Sequence, residues 1–561
     1  MLHVKKHTPL YIFLFVWLTI NLIQSAFIGV DGDEAYYWMF SKNLDWGYFD
    51  HPPMVALLIK FGEFFGHAPF FTRLGTVLLT TATAGIIFHG LPERLQQAKY
   101  YVWLFPSIII CNVYGFIATP DAPLFFFSAL FFLGYKNYVE KDSIKAALFL
   151  SISITGMFYS KYHGILPLLF VVLSNFQLLK RKSFWLIVSI VCVLFLPHIY
   201  WQYIHDWPTL RFHLFERGLR VYKINFTLDY LLSQLLIWGP IISFFFYRHV
   251  LSIKSDDTFM KAHQFNFWGV LIIFLISSFK NHVEAHWTLI AASSFIVLLM
   301  DIIDKGDEKR KKYFLRLAKI NVAFILILRM LLLIPGFPLD KINNYKPLVH
   351  GKSWSDSVYT YAGSTPVIFT NSYILPALYN YYHPKTVSIG YNTKYYRKTQ
   401  YSINHIEDML RGRDVFVFND SASIQNPTIH SIFKSGNLIP IIHYSPINAL
   451  QVSWKNIPNI LYAGDTIKID VFIKNTGTHS ITNDGRLALS YSYSKYSYAV
   501  EEGKDVYPLS PMIWESSQEI RIPIKIVLPV TKGANRLLFS INNGILTGNF
   551  ASQYYDIEIN E

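Results

Sequence analysis

Asp31-Gly-Asp-Glu-Ala-Tyr-Tyr-Trp38, continued by Gly47-Tyr-Phe-Asp-His-Pro-Pro-Met54, stands between two long apolar runs. Three carboxylates within four residues repel one another unless they hold a cation, accept protons or orient hydroxyl groups. The aromatic residues beside them, Tyr36, Tyr37, Trp38, Trp46 and Tyr48, suit both a membrane–water interface and stacking on sugar rings. A solvated helix end with aromatic anchors accounts for the same residues. After Pro53, the run 54–65 places Lys60 and Glu63 on one face and apolar residues elsewhere, the pattern of a helix lying in a bilayer interface.

Working outward, apolar runs of about 17–22 residues, the length that crosses a bilayer core as a helix, recur from residue 8 to about 335. Eleven are expected: 9–30, 71–91, 101–119, 123–139, 144–159, 164–179, 184–201, 228–247, 265–279, 285–303 and 317–335. The fifth and ninth are short. No small-residue cleavage site follows the first, which reads as a retained helix. Over all 561 residues, 52% are hydrophobic, 17% aromatic and 16% charged. An ordinary soluble domain carries about 25% charged residues, so a soluble enzyme, a disordered chain and a nucleic-acid-binding protein are excluded. The two cysteines, Cys111 and Cys192, lie in apolar runs and build neither a disulfide framework nor a zinc cluster.

The net charge of +13 reports topology. Alternate loops carry Lys5/Lys6, Arg94/Lys99, Lys136/Lys141/Lys145, Lys180–Lys182, Arg248/Lys254/Lys261 and the dense set from Lys305 to Lys319. The positive-inside rule makes that series cytoplasmic, which puts the N-terminus inside and the C-terminal region outside. The opposite loops, richer in acids, aromatics and histidine, then face outward and hold any chemistry.

Past Pro335 the texture changes. Short apolar strands at 367–369, 415–418 and 438–443 mix with helical stretches at 373–382 and 406–411, which suggests an α/β domain. From about 450, period-2 strands at 466–474, 486–493, 519–528 and 535–540, with turns at 475–477 and 483–485, suggest a β-sandwich. The expected division is a membrane domain 1–336, an extracytoplasmic α/β domain 337–445 and a β-sandwich domain 446–561. Neither tail domain shows a nucleophile motif, a phosphate loop or metal-ligand spacing.

The 31–54 stretch resembles the family of bacterial dolichyl-phosphate-mannose-protein mannosyltransferase-like enzymes and lipid A aminoarabinose transferases. Three further pieces fit: Ala118-Thr-Pro-Asp-Ala-Pro-Leu124, Ser160-Lys-Tyr-His-Gly164 and Lys280-Asn-His-Val-Glu-Ala-His-Trp287. The resemblance covers most of 1–335 and leaves the sandwich as an addition. It implies a polytopic helical membrane protein of the GT-C fold in a bacterial inner membrane. Its activity would be transfer of a sugar from a polyprenyl-phosphate donor to an envelope lipid, glycan or protein, with no nucleic-acid partner. A flippase of lipid-linked sugars and an oligosaccharide ligase are the competing functions; the absence of an internal repeat, and acids placed in outer loops, tell against a transporter.

By that resemblance Asp33 is the general base, with Glu34 and Asp31 as substitutes. Asp121 either caps the next helix or binds acceptor or a cation opposite Asp33. The leaving phosphate needs cations, for which Lys161, Arg329, Arg217, Arg220 and Lys280 are candidates, with Lys161 and Arg329 the first pair. Lys161 stands in a turn where the positive-inside rule disfavours lysine. Arg329 lies inside the last run and serves a site or snorkels to headgroups. Arg217 and Arg220 grip phosphate or rest on anionic lipid. Glu284 and Trp287 look like the family's Glu-x-x-Trp element and would contact the donor. Tyr37, His51, Tyr162 and His163 are the expected substrate contacts. A divalent cation held by a carboxylate and a histidine is a candidate cofactor that no spacing establishes.

Overall fold

In the computed structural model, the described residues are 2–560 without 217–221, 251–256, 335–344, 405, 421–426, 456, 457, 459, 497, 498, 531, 532, 550 and 553. They divide into two units, Met1–Thr209 with Arg220–Val349, and Leu210–Leu219 with His350–Glu561.

The first unit is helical. Five helices are long and apolar enough to cross a membrane: His7–Phe27, Pro69–Gly90, Lys182–Ile204, Thr258–Ser278 and Ala285–Asp304. A sixth crossing results if the bent pair Ile224–Ile237 and Pro240–Val250 is one span. Helices Asp121–Glu140, Ile144–Ser160 and Glu308–Leu331 fill further expected runs.

Three runs are broken where hydropathy leads one to expect continuous helices. The run 101–119 is a helix Ala98–Leu104, a 3-10 turn Phe105–Ser107 and a short helix Ile109–Val113. Pro106 has no N–H to give and stiffens the turn. The run 228–247 bends by 98° at Trp238–Gly239. The run 285–303 opens as a 3-10 stretch, Ala285–Ala291, before its α-helix. The run 164–179 also shortens to the helix Ile165–Ser174.

Breaks inside a hydrocarbon layer free backbone groups that must find partners. One side chain serves two of these breaks. Asn321 donates its amide to the carbonyl of Ser107 at 2.6 Å and accepts from the N–H of Ile241 at 3.2 Å. Gly239 makes that meeting possible. Its φ is +97°, and a Cβ there would sit 2.3 Å from the Ser107 carbonyl oxygen.

The run after Pro53 forms the helix Met54–Glu63, which seats Val55, Ala56, Ile59 and Gly62 inward and exposes Leu57 and Phe61. Its last residue is a hub. Glu63 accepts from Trp38 Nε1 at 2.9 Å, Lys42 Nζ at 3.0 Å, His67 Nδ1 at 3.1 Å and Thr72 Oγ1 at 3.2 Å. Burial alone would raise its pKa, but the bonds from His67, Trp38 and Lys42 hold it down to about 2.

In the second unit, strands Val367–Thr370, Ser388–Tyr391, Val415–Asn419 and Asn437–Ile441 form one sheet in the order second, first, third, fourth. The first three run parallel and the fourth is antiparallel. Helices Lys346–Ala362 and Ile374–Tyr382 flank these strands in sequence. From residue 450 onward a five-stranded and a three-stranded sheet share a core that includes Trp454, Val471, Ile473, Leu489, Phe539 and Ile541. The Asn-x-Gly turns form as expected: Asn475 and Asn483 accept from the N–H of Gly477 and Gly485 at 3.0 and 2.9 Å.

Candidate active site

The acidic stretch is first of all a helix start. Asp31 caps the helix Gly32–Lys42: its carboxylate accepts from the N–H of Asp33 at 3.0 Å, and Glu34 accepts from the N–H of Asp31 at 3.0 Å. This is a capping box with Asp in the Ser/Thr position. Asp33 enters it through its backbone and is half-buried. Burial, then the charges of Asp33 and Glu34, push the Asp31 carboxyl up to about 7.

Glu34 is spoken for. It is fully buried and ion-paired with Arg73, Nε to Oε1 at 2.8 Å and Nη2 to Oε2 at 2.5 Å. It also accepts from the N–H of Ala118 at 2.8 Å. Both of its carboxylate oxygens are thereby occupied by Arg73, Asp31 and Ala118. Sequence reasoning misses Arg73, although an arginine inside the run 71–91 is itself a signal. Its guanidinium further donates to the carbonyls of Ile28 at 2.9 Å and Gly29 at 2.7 Å.

Asp121 and Lys161 come together, forty residues apart in sequence. Lys161 Nζ donates to both carboxylate oxygens of Asp121, at 2.8 and 2.9 Å, and both side chains are buried. The sequence offers Lys161 as a cation for phosphate; here Asp121 neutralises it. His286 Nε2 lies 3.8 Å from the same carboxylate, and its ring packs on Tyr114 at 5.2 Å. Nothing in the sequence marks Tyr114, which sits in an apolar run.

The other candidates distribute around this centre. Tyr37 OH and His51 Nε2 are 3.2 Å apart. Tyr162 OH lies 2.6 Å from His198 Nε2, and His198 Nδ1 donates to the carbonyl of Trp46 at 2.6 Å, which pins the acidic loop to the helix Lys182–Ile204. The His163 ring packs on Trp287 at 5.3 Å and on Phe274 at 5.2 Å. Glu284 pairs with His282 at 3.4 Å. Lys280 is exposed and has no side-chain partner among the described residues. Arg217 and Arg220 lie outside the described residues. No group of three His, Cys, Asp or Glu side chains among the described residues is arranged to hold a metal ion.

Arg329 does not snorkel. It is 6% exposed and held by neutral amides: Nε to Gln24 at 2.8 Å, Nη2 to Asn21 at 2.7 Å and Nη1 to Asn112 at 3.2 Å. The break at Pro106 prepares Asn112, whose amide donates to the carbonyls of Pro106 and Ile108 at 2.9 and 2.8 Å and leaves its oxygen for Arg329. The Phe116 ring meets two guanidiniums, at 5.5 Å from Arg73 and 5.6 Å from Arg329.

Residues 50–201 match the family described as dolichyl-phosphate-mannose-protein mannosyltransferase, a region holding His51, Asp121 and Lys161 but not Asp33, Glu284 or Arg329. The lipid A galacturonosyltransferase RgtD of Rhizobium johnstonii is 28% identical over 283 residues, 46% of this chain. The chain spans 57% of that relative's length. Among solved structures, ArnT from Cupriavidus metallidurans superposes with a TM-score of 0.55 in the apo state, at 10% identity, covering 73% of this chain and 92% of that one. The same protein bound to undecaprenyl phosphate gives 0.56 at 12% identity, covering 77% and 98%. The chain thus has the ArnT-like GT-C fold, and over residues 50–201 it carries the sequence signature of the dolichyl-phosphate-mannose-protein mannosyltransferases.

Proposed function

We propose that this chain is a membrane glycosyltransferase that moves a sugar from a polyprenyl-phosphate donor to an envelope acceptor at the outer face of a bacterial inner membrane. The observation that carries the reading is that the acidic helix start is tied, through the Glu34–Ala118 bond, to the turn that carries the buried Asp121–Lys161 pair. The sequence match over residues 50–201, the lipid A galacturonosyltransferase relative and the fold shared with an undecaprenyl-phosphate-bound protein support it. The relative favours a lipid acceptor among lipid, glycan and protein.

In this reading an acceptor hydroxyl passes its proton to Asp33 as its oxygen attacks the anomeric carbon. The bond from that carbon to the phosphate oxygen breaks, and polyprenyl phosphate leaves with the electron pair. Lys161 and Arg329 supply positive charge to that phosphate, and Asp121 holds Lys161 in place until phosphate competes for it. Glu284 and Trp287 face the donor sugar; Tyr37, His51, Tyr162 and His163 contact substrate. With eleven crossings the N-terminus lies in the cytoplasm. The domains 337–445 and 446–561 then lie outside, and residues 1–336 form the membrane domain.

The test is transfer by the purified chain in nanodiscs supplied with polyprenyl-phosphate sugars and envelope lipids, read by mass spectrometry. Asp33→Asn should cut transfer by about 10²–10⁴-fold with donor binding retained. Movement of the donor between leaflets without any transfer would establish a flippase instead.

A further inference from the structure

At one edge of the sandwich an aromatic cleft opens that the transfer chemistry does not use. Trp454, on the outermost strand of the three-stranded sheet, packs on Tyr555 of the five-stranded sheet with ring centroids 5.3 Å apart. Strand Tyr555–Asn560 alternates, turning Ile557 and Ile559 inward and Asp556, Glu558 and Asn560 outward. The result is a cleft of about 460 Å³ lined chiefly by Trp454, Tyr554, Tyr555, Asp556, Glu558 and Asn560. Small-ligand sites run from about 300 to 1,000 Å³.

We propose that this cleft binds a neutral carbohydrate. Trp454 is 8% exposed and backs Tyr555, so the half-buried Tyr554 and Tyr555 give the cleft its aromatic surface. Aromatic faces carry a negative quadrupole that attracts the electropositive C–H faces of a pyranose ring. Carboxylates accept from sugar hydroxyls, and an amide can both donate and accept. Asp556 is tied to Arg536 at 3.1 Å, whereas Glu558 has no ion-pair partner among the described residues and keeps its lone pairs for a ligand. Glu558, the cleft carboxylate without an ion-pair partner among the described residues, repels phosphate and uronic acids. No set of three metal-ligating side chains among the described residues stands here to favour a cation. A hydroxyl-rich, uncharged ligand is what remains, and binding it would tether the chain to an envelope glycan.

The test uses the full chain in nanodiscs free of glycosidic detergent, with maltose, cellobiose and N,N′-diacetylchitobiose as probes. Inorganic phosphate and galacturonic acid serve as anionic controls. Saturation-transfer NMR and calorimetry read binding. At least one neutral probe should bind, about tenfold more weakly in Trp454→Ala and in Glu558→Gln. Glu558 is exposed, so Glu558→Gln keeps the fold and carries the result if Trp454→Ala does not fold. No binding by any neutral probe, binding that neither variant weakens, or binding of the anions in their place overturns the proposal. These outcomes are independent of transfer, which the same preparation reports separately.

Discussion

Arg73 and Glu34 form a forked ion pair with no exposure on either side, closed at 2.8 and 2.5 Å. Through it the end of the first helix, the cap of Gly32–Lys42 and the turn at Ala118 share one anchor. Asp33 precedes Glu34 by one residue and Asp121 follows Ala118 by three, so the pair fixes the spacing of the two acids. Removing one partner of a buried pair leaves an uncompensated charge and costs about 3–5 kcal/mol. Glu34→Gln should therefore lower the thermal unfolding midpoint sharply. Arg73→Lys should lower it too, because one ammonium cannot hold Glu34 and also reach the carbonyls of Ile28 and Gly29 as the guanidinium does. Wild-type midpoints in both variants would remove the anchor role.

The raised Asp31 carboxyl gives a pH signature. Its folded value of about 7 lies above the unfolded one near 4, so between those limits the folded chain holds a proton that the unfolded chain has released. Stability is then full below about pH 4 and falls as pH rises through 7. Asp31→Asn should flatten that fall in an unfolding series from pH 4 to 8. An unchanged slope in the variant would assign the dependence to another group.

Gly239 answers to two constraints at once, a positive φ and a carbonyl in the place of its Cβ. Gly239→Ala should strain the backbone and push Ser107 off Asn321. Asn321→Leu should cost about 1–3 kcal/mol for each backbone group it leaves unbonded, at Ser107 and Ile241. Thermal midpoints of the two variants, and of the double, should show less than additive loss, because both act on one junction. Additive losses would mean that the glycine and the amide stabilise separate things.

The same junction marks the limit of what is legible in the sequence. Hydropathy locates the helices, and local chemistry locates the sandwich turns, since Asn475 and Asn483 bond within two residues of themselves. The breaks at Pro106 and Gly239 are not legible, because apolar length is blind to a distant partner such as Asn321. The acids of the site stand out by their crowding, and Lys161 by its wrong side of a charge rule. Their partners do not: Arg73 meets Glu34 and Asn21 meets Arg329 only after packing, over separations of 39 and 308 residues. Tyr114 carries no local signal, being one aromatic residue in a chain with 37 tyrosines.

The Asp121–Lys161 pair separates fold from chemistry. Lys161→Met leaves a buried carboxylate and Asp121→Asn leaves a buried ammonium, so each alone should destabilise by about 3–5 kcal/mol. The double variant restores neutrality and should recover a good share of the lost stability, as unfolding midpoints would show. Transfer should stay low in the double variant, because the cation for the leaving phosphate is gone. Recovery of transfer together with stability would make the pair structural alone.

Arg329 decides the second cation. Its planar guanidinium gives one N–H each to Gln24, Asn21 and Asn112, and it has no carboxylate partner among the described residues. Three neutral amides orient a charge without cancelling it, and a buried charge left uncancelled in a membrane segment attracts an anion. Arg329→Lys keeps the charge but cannot satisfy three divergent acceptors, so it should loosen the clasp and weaken donor binding by about tenfold. Arg329→Gln removes the charge and should weaken donor binding further, although glutamine is the better fit among amides. Titration of a polyprenyl-phosphate sugar against both variants in nanodiscs, beside their unfolding midpoints, distinguishes the roles. If Arg329→Gln binds donor as the wild type does while unfolding earlier, Arg329 only clasps the helices. The phosphate then rests on Lys161, released from Asp121.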